Sequence, residues 1–305
     1  MVKELTGLAG PTQHSALGRF GRNQTAVLGA GVLGVLVLVV GLGPWVYPGS
    51  AVAIDFGQAL LPPSLSHPLG TNDLGQDMLA RILIGGRVSL AVSLAAMAVA
   101  MTVGVLVGAI AGFYGGWVDG LLMRLTDLSL ALPPLPLALL ILYLFGDGAR
   151  DVFGPQAGIF LLIVIVIGGL NWMPTARLVR GGFLSVREQT FVQAVQALGA
   201  KPGRIIWRHI LPNVIGPVIV AATLAVGNAV LTEATLSFLG LGFPPDVPTW
   251  GRMLAASQDY LETAPHMALF PGASIFLTVL SINYIGDGLR DLFDVRSATA
   301  QPKLH

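Results

Sequence analysis

Thr175 to Asn213 reads TARLVRGGFLSVREQTFVQAVQALGAKPGRIIWRHILPN, the only long basic segment of this 305-residue chain, with hydrophobic stretches on both sides. From Thr190, TFVQAVQALGA has helix-forming composition, with Ala194, Ala197 and Leu198 at helical spacing and Gly199 placed to end the helix through a left-handed cap. Pro202 suits the first turn of a second helix, GRIIWRHIL, with Ile205, Ile206 and Ile210 available for packing and Arg204 and Arg208 on another face. Pro212 is expected to close it. Such a loop is either a protein-docking surface or an amphipathic element held to anionic lipid by its arginines, and composition does not separate the two.

The surroundings place this loop at a membrane. With 54% apolar and 11% charged residues and a mean hydropathy of +0.75, the chain lacks the polar surface to cover a water-soluble globule of this size. A net charge of +1 argues against a nucleic-acid footprint, and the absence of cysteine excludes disulfides, thiolate nucleophiles and cysteine-bound metals. A bilayer core needs about 20 apolar residues of helix. Six segments supply this, near residues 26–47, 89–113, 128–145, 157–175, 214–235 and 267–285, which predicts an all-α polytopic membrane protein. The first is longer than the about 7–15 residues of a signal-peptide core and lacks a small-residue cleavage site, so it is read as a retained helix anchored by Trp45 and Tyr47.

Orientation follows from the cations. With the amino terminus in the cytosol, Lys3, Arg19, Arg22, Arg124, Arg177, Arg180, Arg187, Lys201, Arg204, Arg208, Arg290, Arg296 and Lys303 fall inside. Only Arg81, Arg87, Arg150 and Arg252 fall outside. This satisfies the positive-inside rule and puts both termini in the cytosol. The expected organisation is a cytosolic segment 1–25, a transmembrane domain 26–296 with outer loops 48–88 and 236–265 and an inner loop 176–213, and a cytosolic tail 297–305. In the first outer loop, DLGQDMLARILIGG from Asp73 is expected to form a short amphipathic helix on the membrane surface. A Gly/Pro cluster and another short helix after Thr249 are expected in the second.

Pro133, Pro134 and Pro136 remove backbone donors within the third span, so it is either a packed kink or the wall of a cavity. GAGVLG from Gly29 sits mid-span with no preceding strand, so its likeness to a dinucleotide loop is discarded. Gly104, Gly108 and Gly112 recur every fourth residue, as close helix packing requires. Glu233 is the deepest acid, with Asp127 and Asp287 near inner ends, and a structural role is favoured for such acids. No phosphate-binding loop or zinc motif is present, and His14, His67, His209, His266 and His305 are scattered, so no catalysis and no metal are expected. A proton-driven carrier would need internal repeats and mid-membrane carboxylates, and neither stands out. A mere membrane anchor would not need proline-broken spans.

The basic loop resembles the EAA loop of membrane subunits of ATP-binding-cassette importers. Gln193, Ala194 and Val195 stand at its triplet, of which only the middle alanine is kept, while Gly199 and the ending His209, Ile210, Leu211, Pro212 match. Gln193 in place of the acid removes a charge but can still hydrogen-bond. Further blocks resemble the C-type permease subunit of dipeptide and oligopeptide importers: HPLGTNDLGQDMLARILIGGRVSL (67–90), GFYGGWVDGLLMRLTDLSLALPPL (112–135), TEATLSFLGLGFPPDVPTWGRML (232–254) and NYIGDGLRDLFDVR (283–296). The likeness runs in order from about Ala26 to Arg296.

This resemblance implies a type I importer permease fold in the bacterial plasma membrane. It further implies a homologous B-type permease partner, one or two ATPase subunits that bind ATP and magnesium, and an extracytoplasmic solute-binding protein. It makes the helix around Ala194 to Arg208 a coupling helix, with Gln193, Ala194, Gly199, Ala200, Arg204, Arg208, Leu211 and Pro212 as the ATPase-coupling residues. Pro133, Pro134 and Glu233 are expected on the translocation path. Peptide is the expected substrate, with nickel, glutathione or another small solute as alternatives.

Overall fold

The structure is a computed structural model that describes residues 21 and 23–293. Expectations for Lys3, His14, Arg19, Arg22, Arg296, Lys303, His305 and the tail 297–305 lie outside the described residues. The helices are α1 Gln24–Val46, α2 Met78–Tyr114, α3 Gly116–Ala131, α4 Pro134–Phe153 and α5 Pro155–Gly169. They continue with α6 Met173–Arg187, α7 Thr190–Ala197, α8 Pro202–Phe238, α9 Trp250–Ala256 and α10 His266–Phe293. Four of them, α1, α2, α8 and α10, are each long and apolar enough to cross a bilayer. The pairs α3–α4, bent by 84°, and α5–α6, bent by 45°, bring the number to six when each counts as one broken span.

Three expectations about boundaries are corrected. The helix expected to lie on the surface after Asp73 is instead the outer end of α2, which runs 37 residues without a break from its Asp77 cap. Its Gly85–Gly86 pair is a contact rather than a terminator. A Cβ at Gly85 would lie 3.3 Å from the Pro248 carbonyl oxygen, and one at Gly86 would lie 2.7 Å from the Trp250 ring and 2.8 Å from Val40. Trp250 is fully buried and donates its indole N–H to the Ile82 carbonyl at 3.1 Å, so the second outer loop is fastened onto this extension. As expected, α9 starts after Thr249, whose side chain caps the Arg252 N–H at 3.2 Å.

The span placed at 128–145 straddles a break. Pro133, Pro134 and Pro136 offer no N–H to the carbonyls of Ser129, Leu130 and Leu132, so α3 stops at Ala131 and α4 restarts with Pro134 in its first turn. At the other end, part of the loop read as 176–213 is helix. α6 carries on to Arg187 because its cations find partners: Arg177 pairs with Asp127, Arg180 grips Asp119 with a 2.6 Å bond as one arm of a two-pronged contact, and Arg187 donates to the Phe113 carbonyl at 2.7 Å.

α2 is the central post. Its glycines form the seam against α6, where a Cβ at Gly104 would stand 2.6 Å from Thr175 Cβ, at Gly108 2.5 Å from the Ala176 oxygen, and at Gly112 2.5 Å from Phe183 Cβ. The spacing read from sequence is therefore a helix-packing surface. On its other sides α2 meets α5 and α8, while α1 packs on α10 and α10 on α8. Pro44 within α1 cannot bond the Val40 carbonyl, and Arg87 of α2 takes that oxygen at 3.1 Å while its guanidinium stacks 5.1 Å from the Trp45 ring.

Candidate coupling surface and cavity

The basic loop folds into two parts with one apolar underside. α7 ends in a Schellman cap: Gly199 takes φ +78°, its N–H bonds the Gln196 carbonyl at 2.9 Å, and the Ala200 N–H bonds the Val195 carbonyl at 3.3 Å. Pro202 then opens α8. Val192, Ile205 and Ile210, all buried, pack with Phe183, Val186 and Val179 of α6 and with Val214 and Val218 further along α8. The loop is thus docked rigidly onto the end of α6, and Ile205 and Ile210 pack as read from sequence.

Pro212 does not close a short helix. Residues 206–210 form a π-helical turn, with the Leu211 N–H bonding the Ile206 carbonyl, and the helix continues to Phe238. The wider turn absorbs the proline ring and the missing donor, and the Asn213 side chain bonds the His209 carbonyl at 2.7 Å. Arg204 and Arg208 therefore sit at the foot of α8, and α7 alone is the separate short helix.

The outer surface of this unit is exposed. Gln193, Ala194, Gly199, Arg204, Arg208 and Pro212 are open to solvent, whereas Ala200 and Leu211 are half-buried. Gln193 donates to the Glu188 carbonyl at 3.1 Å, within its own loop. Two apolar side chains stand among them that the sequence reading did not count as coupling residues, Leu198 at 87% exposure, which it named only for its helical spacing, and Trp207 at 61%. Trp207 lies three residues after Arg204 and one before Arg208, and an arginine–tryptophan–arginine face is the kind that anchors protein interfaces. That spacing was visible in the chain.

The second feature is a cavity of about 250 Å³ lined by Pro134, Leu135, Ala138, Ile167, Leu170, Asn171, Leu231, Thr232 and Thr235. Both helix breaks open onto it, the first through Pro134 and the second through Leu170 and Asn171. α8 supplies the facing wall. Irregular backbone within a membrane span is tolerated where protein buries it or where it lines such a cavity, and of the three prolines Pro134 lines this one. Pro133 is exposed beside it at the break.

Glu233, expected on the translocation path, does not line this cavity. Its neighbours Thr232 and Thr235 line the cavity, while Glu233 is fully buried and turned toward Ser89 of α2 and Thr249. Its Oε1 accepts from the Ser237 hydroxyl at 2.7 Å, and its Oε2 has no hydrogen-bond partner among the described residues. The cause is helical phase: one residue's rotation moves a side chain about 100° around the axis. Among the described residues no cluster of three or more His, Asp or Glu side chains is arranged to hold a metal.

Comparison with known proteins converges on one family. The profile described as binding-protein-dependent transport system inner membrane component matches residues 104–298, and that of the N-terminal transmembrane domain of oligopeptide transport permease C matches residues 13–63. A putative peptide permease protein of Brucella suis is 40% identical over 97% of this chain and 95% of its own length. The dipeptide transport system permease protein of Alkalihalophilus pseudofirmus is 40% identical over 90% of this chain and 86% of its own. A glutathione transport system permease protein of Salmonella typhimurium is 39% identical over 90% and 88%. Among solved structures, a chain of the MetNI methionine ABC transporter in an inward-facing conformation superposes with a TM-score of 0.55 at 17% identity, covering 70% of this chain and 97% of that one. That likeness identifies the fold.

Proposed function

Because this chain belongs to the family of binding-protein-dependent transport system inner membrane components, we propose that it forms one side of the path of an ATP-driven peptide importer and couples that path to a partner ATPase. It is a multi-pass inner-membrane protein, and its own part is mechanical. The observation that carries the reading is the line from α7 to the cavity. A push on exposed α7 passes through Val192, Ile205 and Ile210 to Phe183 and Val186, then along α6, whose 15 residues span about 22 Å, to the break at Leu170–Trp172. That break borders the cavity, so displacement at the loop reshapes the wall.

In this reading α7 and the foot of α8 face the cytosol and seat on the ATPase. Gln193, Ala194, Gly199, Ala200, Arg204, Arg208, Leu211 and Pro212 build the contact, with Leu198 and Trp207 added. Both termini lie in the cytosol. A homologous permease completes the path, an extracytoplasmic binding protein delivers substrate to the outer loops, and ATP and magnesium are held by the ATPase. Peptide is favoured because the relatives named for a substrate carry peptides, dipeptides or glutathione, itself a tripeptide. The test is reconstitution with the cognate partners in proteoliposomes. Peptide-stimulated ATP hydrolysis with peptide accumulation is expected, and accumulation of glutathione alone would support the narrower alternative. Stimulation by no peptide would refute the reading.

A further inference from the structure

The chemistry of the cavity wall specifies what it can hold. Three polar side chains face it: Asn171, Thr232 and Thr235. Each has spent a donor on its own chain four residues back. The Thr232 hydroxyl bonds the Asn228 carbonyl at 2.8 Å, the Thr235 hydroxyl bonds the Leu231 carbonyl at 2.8 Å, and the Asn171 amide bonds the Ile167 carbonyl at 2.7 Å. A threonine hydroxyl has one hydrogen and two lone pairs, so what both threonines leave for the cavity are acceptors, and Asn171 adds its carbonyl oxygen and one remaining N–H.

Among the described residues no ionisable side chain lines the cavity. An ammonium or carboxylate lodged there would lose hydration without meeting a counter-ion, which is costly. An uncharged N–H donor meets no such penalty. We propose that this cavity is a site for the backbone amide N–H groups of a transiting peptide, with Thr232, Thr235 and Asn171 as its acceptors. The inference rests on the peptide reading above and deepens it. It places the path's recognition on the one feature that all peptides share.

The test uses the reconstituted complex with its cognate partners and two probes: trialanine, and its ester analogue in which one backbone N–H is replaced by oxygen. Wild-type complex is expected to take up trialanine faster than the ester. The Thr232→Val, Thr235→Val double variant is expected to shrink that preference by about 3- to 10-fold, the worth of one hydrogen bond. Serine at both positions, which keeps the hydroxyls, is expected to restore it. If the double variant does not assemble, each valine variant alone is expected to lose part of the preference. A preference unchanged by valine, whether weak or complete, overturns the assignment while leaving the peptide reading intact. Wild-type uptake of neither probe sinks the peptide reading and this site with it.

Discussion

Replacing Gly199 probes the loop as a lever, and the structure sets the size of the effect. Gly199 sits at φ +78°, and a Cβ added there would find nothing within 4 Å, so a substitution is opposed by backbone conformation alone. An L-residue in the left-handed region costs about 1–2 kcal/mol, with β-branched residues at the upper end. That penalty shifts the balance between the capped and uncapped turn by a factor of about 5–30. It loosens two bonds at once, Gly199 N–H to Gln196 and Ala200 N–H to Val195. An unlatched α7 still touches the ATPase but no longer moves α6 with it. ATP hydrolysed per peptide accumulated in proteoliposomes should therefore rise in the order Gly, Asn, Ala, Val, following tolerance of the left-handed region, because asparagine adopts it more readily than alanine despite its larger volume. Gly203→Ala, within the first turn of α8 and equally free of neighbours, should leave coupling unchanged. A fully coupled Gly199→Val complex, or a ranking that follows side-chain volume, would refute the reasoning.

Reversing Arg204 and Arg208 to glutamate should weaken co-purification of the ATPase by about tenfold or more at low salt, with a smaller loss at high salt, while membrane insertion persists. Gly108→Leu should lower stability in detergent by about 1–3 kcal/mol, because its Cβ meets a backbone oxygen that cannot move aside. Gly31→Leu, with nothing within 4 Å, serves as the control in thermal unfolding. The Tyr47 phenol, which donates to Asp77 at 2.7 Å, is pushed up to about 12 by burial first, then by the hydrogen bond and charge of Asp77. Its contribution to stability is therefore complete below its ordinary value of 10.0 and is lost as pH rises through about 12. Tyr47→Phe should flatten that part of an unfolding-versus-pH curve, and an unchanged slope would count against the contact.

Much of the architecture was legible because one physical rule governed it. The glycines at 104, 108 and 112 recur at helical spacing, and only close packing needs that pattern. Gly199 and Pro202 punctuate the basic loop in the way local backbone geometry demands. The misread boundaries have other causes, most of them a tertiary partner and one of them a local π turn. Gly85–Gly86 resembles a helix end until Trp250 and Val40 are seen against it. Arg177, Arg180 and Arg187 resemble loop residues until Asp127 and Asp119 pair with the first two and the Phe113 carbonyl accepts from the third. Pro212 resembles a stop until a π turn accommodates it. At the cavity the proline cluster was legible, but Asn171, Thr232 and Thr235 were not, because their convergence depends on the phase of α8 and on a second break at Leu170–Trp172, whose one local signal is Pro174 in the first turn of α6. The same phase turns Glu233 away from the cavity.

The account stands on α7 facing the cytosol against a nucleotide-hydrolysing partner, and the chain's lack of cysteine makes a clean test possible. Leu198→Cys places a single thiol on the most exposed apolar side chain of the loop, at 87% exposure. Membrane-impermeant maleimide should label it in inside-out vesicles stripped of the ATPase, fail to label it in intact cells, and lose access when the ATPase is added back. Labelling in intact cells, or labelling indifferent to the ATPase, would contradict the account.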